Sequence, residues 1–394
     1  MRIAILTSGI LPVPAVQGGA VENLVDFYLE YNDRHRLHDI TVYSIWHPAV
    51  RQHPALASDV NHYRYISSSG LLAKIRKYWL RRSANGYYNY TIEYYLNEAI
   101  RRLRRKHYDV VIVENRPAFS LKLTGVVDSA YVLHLHNDFL NTDTKQADLI
   151  FTPYSRIISV SDYITGRVQQ IAPNLHRCET LHNAIDTRRF AAAKPVDRAS
   201  IGLAADDFVV VYSGRLRKEK GILELVQAVG QMHDIPRLKL LIIGASSYGS
   251  NQMPSQFVRR LEEAARPVSD KVVFTGFVDY TDIPSYLKTA DVAVVPSLWE
   301  EPFGLTVLEA MAAGLPLVTT RSGGIPEICE GVATIVGRDG IVDNLKDAIT
   351  DLYHHPEKRR QMAAAALDRS KHFDKDTYAR QFFSALESYF TPNR

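Results

Sequence analysis

Along the chain, short uninterrupted apolar runs alternate with stretches whose apolar residues recur three and four positions apart. In the first half the strand candidates are Arg2–Thr7, Asp39–Ile45, Asp109–Glu114, Ala130–Leu135, Arg156–Val160 and Arg177–Leu181. The first of them, Arg2–Thr7, alternates little and is bounded by Ser-Gly, which suits a strand buried on both faces of a parallel sheet. Between the first two runs, Val21, Leu24, Val25, Tyr28 and Leu29 mark one face of a helix over 20–31. Residues 46–70 are polar and rich in His, Pro and Ser, and predict a surface loop. Residues 187–205 carry no periodicity and predict an interdomain linker. A second series then begins, with strands predicted at Phe208–Tyr212, Leu238–Ile243, Val272–Phe274, Val292–Val295, Pro316–Thr319 and Ala333–Val336. Helices are predicted between them at 221–232, 254–266, 281–289 and 304–313, and over most of 341–390. Strands alternating with helices argue for two α/β domains, each with a parallel sheet, in tandem across a cleft. The expected domains are 1–188 and 189–373, followed by a terminal helix, 374–394. That helix carries Tyr378, Phe382, Phe383, Tyr389 and Phe390 and needs a surface to cover.

Length supports this division, since 394 residues exceed what one ordinary core accommodates. With 46% hydrophobic and 23% charged residues, the composition is that of a globular protein, and a net charge of +4 with no recognition motif argues against a nucleic-acid binder. Cys178 and Cys329 are too few and too far apart in sequence for a disulfide framework, which fits a reducing compartment. The opening MRIAILTSGILPVPA has the look of a signal peptide, but its short apolar run and single charge read better as a first buried strand. No run approaches the roughly 20 apolar residues that span a bilayer.

Candidate chemistry concentrates in residues 296–327, PSLWEEPFGLTVLEAMAAGLPLVTTRSGGIPE. A strand delivers Glu300 and Glu301 into a loop, and the following helix carries Glu309. Upstream, SGRLRKEKGI places Arg215 and Lys220 at a strand-to-helix junction, where two cations suit a diphosphate. In the first domain Gly18 and Gly19 stand between a strand and a helix, a setting that lets backbone N–H groups approach an anion; the dinucleotide fingerprint is not present. YVLHLHNDF puts His134 and His136 on the same side of a strand end, where ligands gather in open α/β sheets. His-x-His could ligate a metal, but no companion cluster with ligand spacing lies nearby in sequence, and no metal is expected. Residues 74–106 are basic and aromatic, including Lys74, Arg76, Lys77, Tyr78, Trp79, Arg81 and Arg82. This is either a solvated helical face or a surface for anionic lipid headgroups or an anionic acceptor.

Taken together, SGRLRKEKG, TGFV at 275–278, PSLWEEPFGLTVLEAMAAGLP and GGIPEI resemble the C-terminal domain of glycosyltransferase family 4; QGGAVENLV, LHLHND and HNAID extend the resemblance more loosely into the first domain. The resemblance implies the GT-B fold, two Rossmann-like domains facing across a cleft with the C-terminal helix crossing back. It implies a retaining, metal-independent transferase that uses a nucleotide-diphosphate sugar, most commonly a UDP-sugar, and no cofactor. By position, catalytic roles fall on His136, Glu301, Arg215 and Lys220. Arg215 and Lys220 would hold the donor diphosphate, Glu309 the ribose hydroxyls and Glu301 the donor sugar. The N–H groups of Phe303, Gly304 and Leu305 would bind sugar or phosphate, Val278 would contact the base, and Gly18 and Gly19 would close over the diphosphate. Where members carry a single histidine, this chain has His-x-His, and His136 aligns best because Asn137 and Asp138 follow it. The implied acceptor is a polysaccharide, glycolipid or lipid-linked glycan. The implied location is the cytoplasm, with peripheral contact on the inner face of the membrane as one option. Two other readings are a nucleotide-sugar epimerase, which shares the fold, and a non-catalytic sugar-binding or coat-associated protein.

Overall fold

A computed structural model describes residues 1–82, 87–245 and 255–390. The chain forms two compact units: unit 1 is Met1–Asn183 with Lys375–Arg394, and unit 2 is Ala184–Asp374. Each is a doubly wound parallel α/β unit, the architecture that the hydrophobic rhythm requires.

Unit 1 holds a seven-stranded sheet in the order β3-β2-β1-β4-β5-β6-β7. Its strands are β1 Arg2–Leu6, β2 Asp39–Ile45, β3 Asn61–Ile66, β4 Val110–Glu114, β5 Ala130–Leu135, β6 Tyr154–Ser159 and β7 Cys178–Thr180, all paired in parallel. The opening residues are thus a central strand with Ile3, Ala4, Ile5 and Leu6 fully buried. β3 corrects the surface loop expected over 46–70. It pairs with β2 from Ile40↔Asn61 to Ile45↔Ile66. Its sequence NHYRYI has polar residues at most positions because β3 is an edge strand, and only Asn61 and Ile66 are buried. The helix Lys375–Phe390 packs on the helix Ala20–His35, stacking Phe382 on Tyr28 at 4.3 Å between ring centroids. This is the surface its aromatic residues called for.

Unit 2 holds a six-stranded sheet in the order β10-β9-β8-β11-β12-β13. Its strands are β8 Phe208–Ser213, β9 Leu238–Ile243, β10 Val272–Gly276, β11 Val292–Val295, β12 Leu317–Thr320 and β13 Thr334–Val336. Its core joins Val210, Leu240, Ile242, Val294 and Val318 of the sheet to Ile222, Leu225 and Val229 of the helix Ile222–Gln231. The stretch read as a linker, 187–205, belongs entirely to unit 2. It contains the helix Thr187–Ala192, whose single turn and a half is too short to show helical periodicity, with Phe190 fully buried.

In both sheets the order reverses between the first and fourth strands of the unit: β1 beside β4, and β8 beside β11. Crevices outside the carboxyl ends of such strands are where open α/β sheets bind ligands.

Candidate functional site

In unit 2, β8 and β11 flank the switch point and each leads into one of the predicted motifs. After β8, Gly214 and the exposed Arg215 lead to a short turn, Lys218–Lys220, and then to Gly221. Gly221 has φ 69, and a Cβ there would run into the carbonyl oxygen of Pro296. Only glycine allows the two loops this close approach. Leu298 N–H donates to Glu219 O at 2.9 Å, tying the same loops together.

As a result Lys220 and Glu301, far apart in sequence, meet with Nζ 2.6 Å from Oε1. Ser297 Oγ donates to the same oxygen at 2.8 Å, and Lys220 Nζ sits 5.2 Å from the Trp299 ring centroid. Glu301 is buried while Lys220 is partly exposed, so the carboxylate is fixed and the ammonium keeps access to solvent. Arg215 lies at the same junction with no ion pair among the described residues. Glu300 faces elsewhere: it pairs with Arg338 at 2.7 Å and accepts from Gly323 N–H at 2.5 Å. Gly324 N–H donates to Glu301 O at 2.8 Å. At Gly323, φ 52, a Cβ would collide with the Glu301 backbone. The Gly-Gly turn therefore locks the backbone that presents Glu301.

The loop ends in the helix Leu305–Ala312, capped by Gly304. Pro302 and Phe303 are buried, the latter against Phe373, which anchors the first turn of the helix at Gly304 and Leu305; the leading N–H groups of any helix have no carbonyl partner within it. Glu309 is buried on this helix, and burial pushes its carboxyl up to about 8 even though Tyr280 hydrogen-bonds it and Arg189 lies close. Arg189 also donates to Tyr280 O at 2.7 Å and lies over the Tyr280 ring. Val278 is half-buried beyond the end of β10, two residues before Tyr280.

In unit 1, Gly18 and Gly19 follow β1, and Gly19 caps the helix Ala20–His35. At the carboxyl ends of β4 and β5, Glu114, His134 and His136 form a buried cluster. His136 Nε2 lies 2.9 Å and His134 Nδ1 3.2 Å from Glu114 Oε2, and the Tyr28 hydroxyl donates to Oε1 at 2.7 Å. Both histidines thus lie on one side of the strand end. His134 is fully buried against Phe382 and Tyr378, whereas His136 retains slight exposure. Burial and the neighbouring His134 push His136 down to about 4.

The sequence reading did not single out Glu114, Tyr280, Arg189, Ser297 or Arg116. Arg116 is half-buried, with Nε donating to Ser8 O at 3.1 Å, and is close enough to the buried Glu22 to oppose the rise that burial gives that carboxyl. A signal for Glu114 did exist, because a lone carboxylate ends the apolar run VVIVE at a strand's carboxyl end. Arg189 and Tyr280 meet only through the fold.

This fold and these motifs agree with known proteins. Residues 193–369, nearly all of unit 2, match the family model described as glycosyl transferases group 1. Over the whole chain, spore coat protein SA of Bacillus subtilis is 28% identical across 92% of both chains. A putative glycosyltransferase of the same organism, YtcC, is 27% identical over 85% of this chain and 78% of its own. Among solved structures, Anabaena HepE in complex with UDP and glucose superposes with a TM-score of 0.74 at 22% identity, covering 98% of this chain and all of that one. Sucrose-phosphate synthase from Thermosynechococcus elongatus gives 0.78 at 21% identity, covering both chains fully. At these identities the solved structures speak to the fold, two parallel α/β units of the GT-B kind.

Proposed function

We propose that this chain is a retaining glycosyltransferase that moves a sugar from a nucleoside-diphosphate donor to a hydroxyl of a glycan or lipid-linked acceptor. The observation that carries the reading is the meeting of Lys220, Glu301 and Ser297 at the unit 2 switch point, beside an exposed Arg215 and a buried Glu309. Arg215 and Lys220 hold the diphosphate and offset the charge that grows on it as the bond between the anomeric carbon and the phosphate oxygen breaks. No metal is needed for that charge in this scheme. Glu301 accepts from a hydroxyl of the donor sugar and Glu309 from the ribose hydroxyls, while the N–H groups of Phe303, Gly304 and Leu305 donate to a sugar or phosphate oxygen. Val278 contacts the base by its backbone. His136, Gly18 and Gly19, to which the resemblance gives catalytic and donor-binding roles, belong to unit 1. The departing phosphate leaves with the electron pair and takes the acceptor's hydroxyl proton, so the new bond forms on the face the leaving group vacates. Support for a nucleotide sugar comes from HepE, solved with UDP and glucose. Support for a glycan acceptor comes from a lipopolysaccharide 1,2-N-acetylglucosaminetransferase of Salmonella typhimurium, 25% identical over 71% of this chain and 73% of its own. The test is incubation with a panel of nucleotide sugars, read as release of the free nucleotide. If none is bound, hydrolysed or transferred, the enzyme reading fails and the coat-associated reading, which the B. subtilis relative favours, takes its place.

The acceptor side is proposed to lie at an anionic membrane. On the helix Leu71–Arg82, Leu71, Ile75, Tyr78 and Trp79 are exposed along one stripe, with Trp79 63% accessible. Lys74, Arg81 and Arg82 are also exposed, and Lys77 is half-buried. Arg76 is instead taken up by Glu98, and residues 83–86 lie outside the described residues. Among the described residues no helix is long and apolar enough to cross a membrane. Such a stripe lies in the headgroup plane rather than across the bilayer. Vesicle sedimentation tests it: binding that does not depend on anionic lipid ends this part of the proposal.

A further inference from the structure

His136 is gripped from one turn at the end of β4. Glu114 faces its Nε2 at 2.9 Å, and Asn115, the next residue, accepts from its main-chain N–H at 3.1 Å. Asn115 takes φ 55 to do this, a left-handed conformation that asparagine tolerates better than most residues. Glu114 is fully buried, and burial alone would push its carboxyl up. The two imidazoles together outweigh that and hold it below the usual carboxylate range. An ionised carboxylate can only accept, so the His136 proton sits on Nε2 and its Nδ1 carries a lone pair. That Nδ1 is buried without a hydrogen-bond partner among the described residues. Asn183 is a polar neighbour of the His136 ring, and among the described residues its Oδ1 has no hydrogen-bond partner either. A buried polar atom left without a partner costs about 1–3 kcal/mol, which a ligand group can recover.

We propose that Glu114 is a positioning residue for His136, fixing the Nε2–H tautomer so that Nδ1 accepts a hydrogen bond from a hydroxyl of the reacting sugar. This rests on the transferase reading above. Tyr28 completes the holder by donating to the other carboxylate oxygen at 2.7 Å, and its ring is fixed by stacking on Phe382. The groups facing His136 are Glu114, His134, Asn115 and Asn183. Burial and His134 lower its titration further than Glu114 and Asn183 raise it, so the ring stays a neutral acceptor above about pH 5.

The experiment pairs long-range nitrogen–proton spectra of the histidine rings with steady-state kinetics on the full chain. In the wild type His136 is expected as the Nε2–H tautomer from pH 5.5 to 8. In Glu114→Gln, whose amide can donate or accept, the tautomers mix. Its kcat falls roughly 30- to 100-fold, with the donor dissociation constant within about 3-fold, as a misplaced group predicts. Tyr28→Phe, a milder change, is expected to cost about 3- to 10-fold in kcat with a partial tautomer shift, and it decides the matter if the first variant does not fold. An unchanged tautomer in both variants overturns the proposal, whatever happens to kcat. So does stoichiometric zinc held by the wild type and lost from Glu114→Gln, since Glu114, His134 and His136 have ligand atoms within 4.8 Å of one another. If the wild type turns over no nucleotide sugar, the transferase reading falls while the ring spectra still decide what Glu114 does.

Discussion

Glu309 offers a test that needs no substrate. Its carboxyl titrates near 8 in the folded chain instead of its ordinary 4.5, chiefly because it is buried. Between those pH values the folded chain keeps a proton that the unfolded chain has released, so stability declines as pH rises and levels off above about 8. At about 1.4 kcal/mol per pH unit the full loss is about 5 kcal/mol, of which roughly 2–3 kcal/mol falls between pH 5 and pH 7. Glu309→Gln keeps the shape and an acceptor for the Tyr280 hydroxyl but removes the titration. The variant should match the wild type near pH 5 and exceed it by an increasing margin up to pH 9. Urea unfolding at each pH, followed by Trp299 fluorescence in a Trp46→Phe, Trp79→Phe background, isolates unit 2 from a second transition in unit 1. A stability difference that is constant from pH 5 to pH 9 would refute the reasoning. It would mean that Glu309 is already ionised in the fold, held by Arg189 more strongly than burial opposes it.

Lys220→Ala should weaken nucleoside-diphosphate binding about 10- to 100-fold in calorimetry, the loss of one charge-assisted contact, with the fold kept but its melting temperature lowered because the buried Glu301 loses its cation; unchanged affinity removes its assigned role. Ser297→Ala should raise the Michaelis constant for the donor several-fold by loosening Glu301, and equal kinetics would show that Lys220 alone suffices to place that carboxylate. Gly221→Ala should destabilise unit 2 by at least about 2 kcal/mol, because the new Cβ meets Pro296 O in a left-handed backbone, and a neutral effect in urea unfolding would contradict that packing. Reversing the charges of Lys74, Lys77, Arg81 and Arg82 should abolish sedimentation with anionic vesicles while nucleotide binding persists.

Much of this architecture was legible from apolar pattern, because a strand buried on both faces leaves a short continuous apolar run, and its length and the turn residues beside it separate it from a buried helix. β3 was not, since an edge strand meets the core at only Asn61 and Ile66 and reads as loop. Motif resemblance put Lys220 and Glu301 in one candidate site, but that they pair appears only once the strand order brings their loops together. Their companion Ser297 was not legible, because serine after a strand is ordinary until the fold shows where its hydroxyl points. Arg189 was hidden in a stretch without periodicity, and its relation to Glu309 through Tyr280 exists only in three dimensions. Glu300 and Glu301, adjacent and alike in sequence, are separated by the Gly323–Gly324 turn, which takes one into an anchor with Arg338 and leaves the other beside Lys220.

Unit 1 is completed by the last helix, although all seven of its strands precede unit 2 in the chain. During synthesis, therefore, the ring of Tyr28 and the back of His134 wait uncovered while the whole of unit 2 is made. Phe382 and Tyr378 reach them only at the end. The Glu114 cluster thus acquires its dry surroundings last. A chain cut short after unit 2 would keep every strand and nearly every site residue, yet it would admit water to the carboxylate on which the placement of His136 depends.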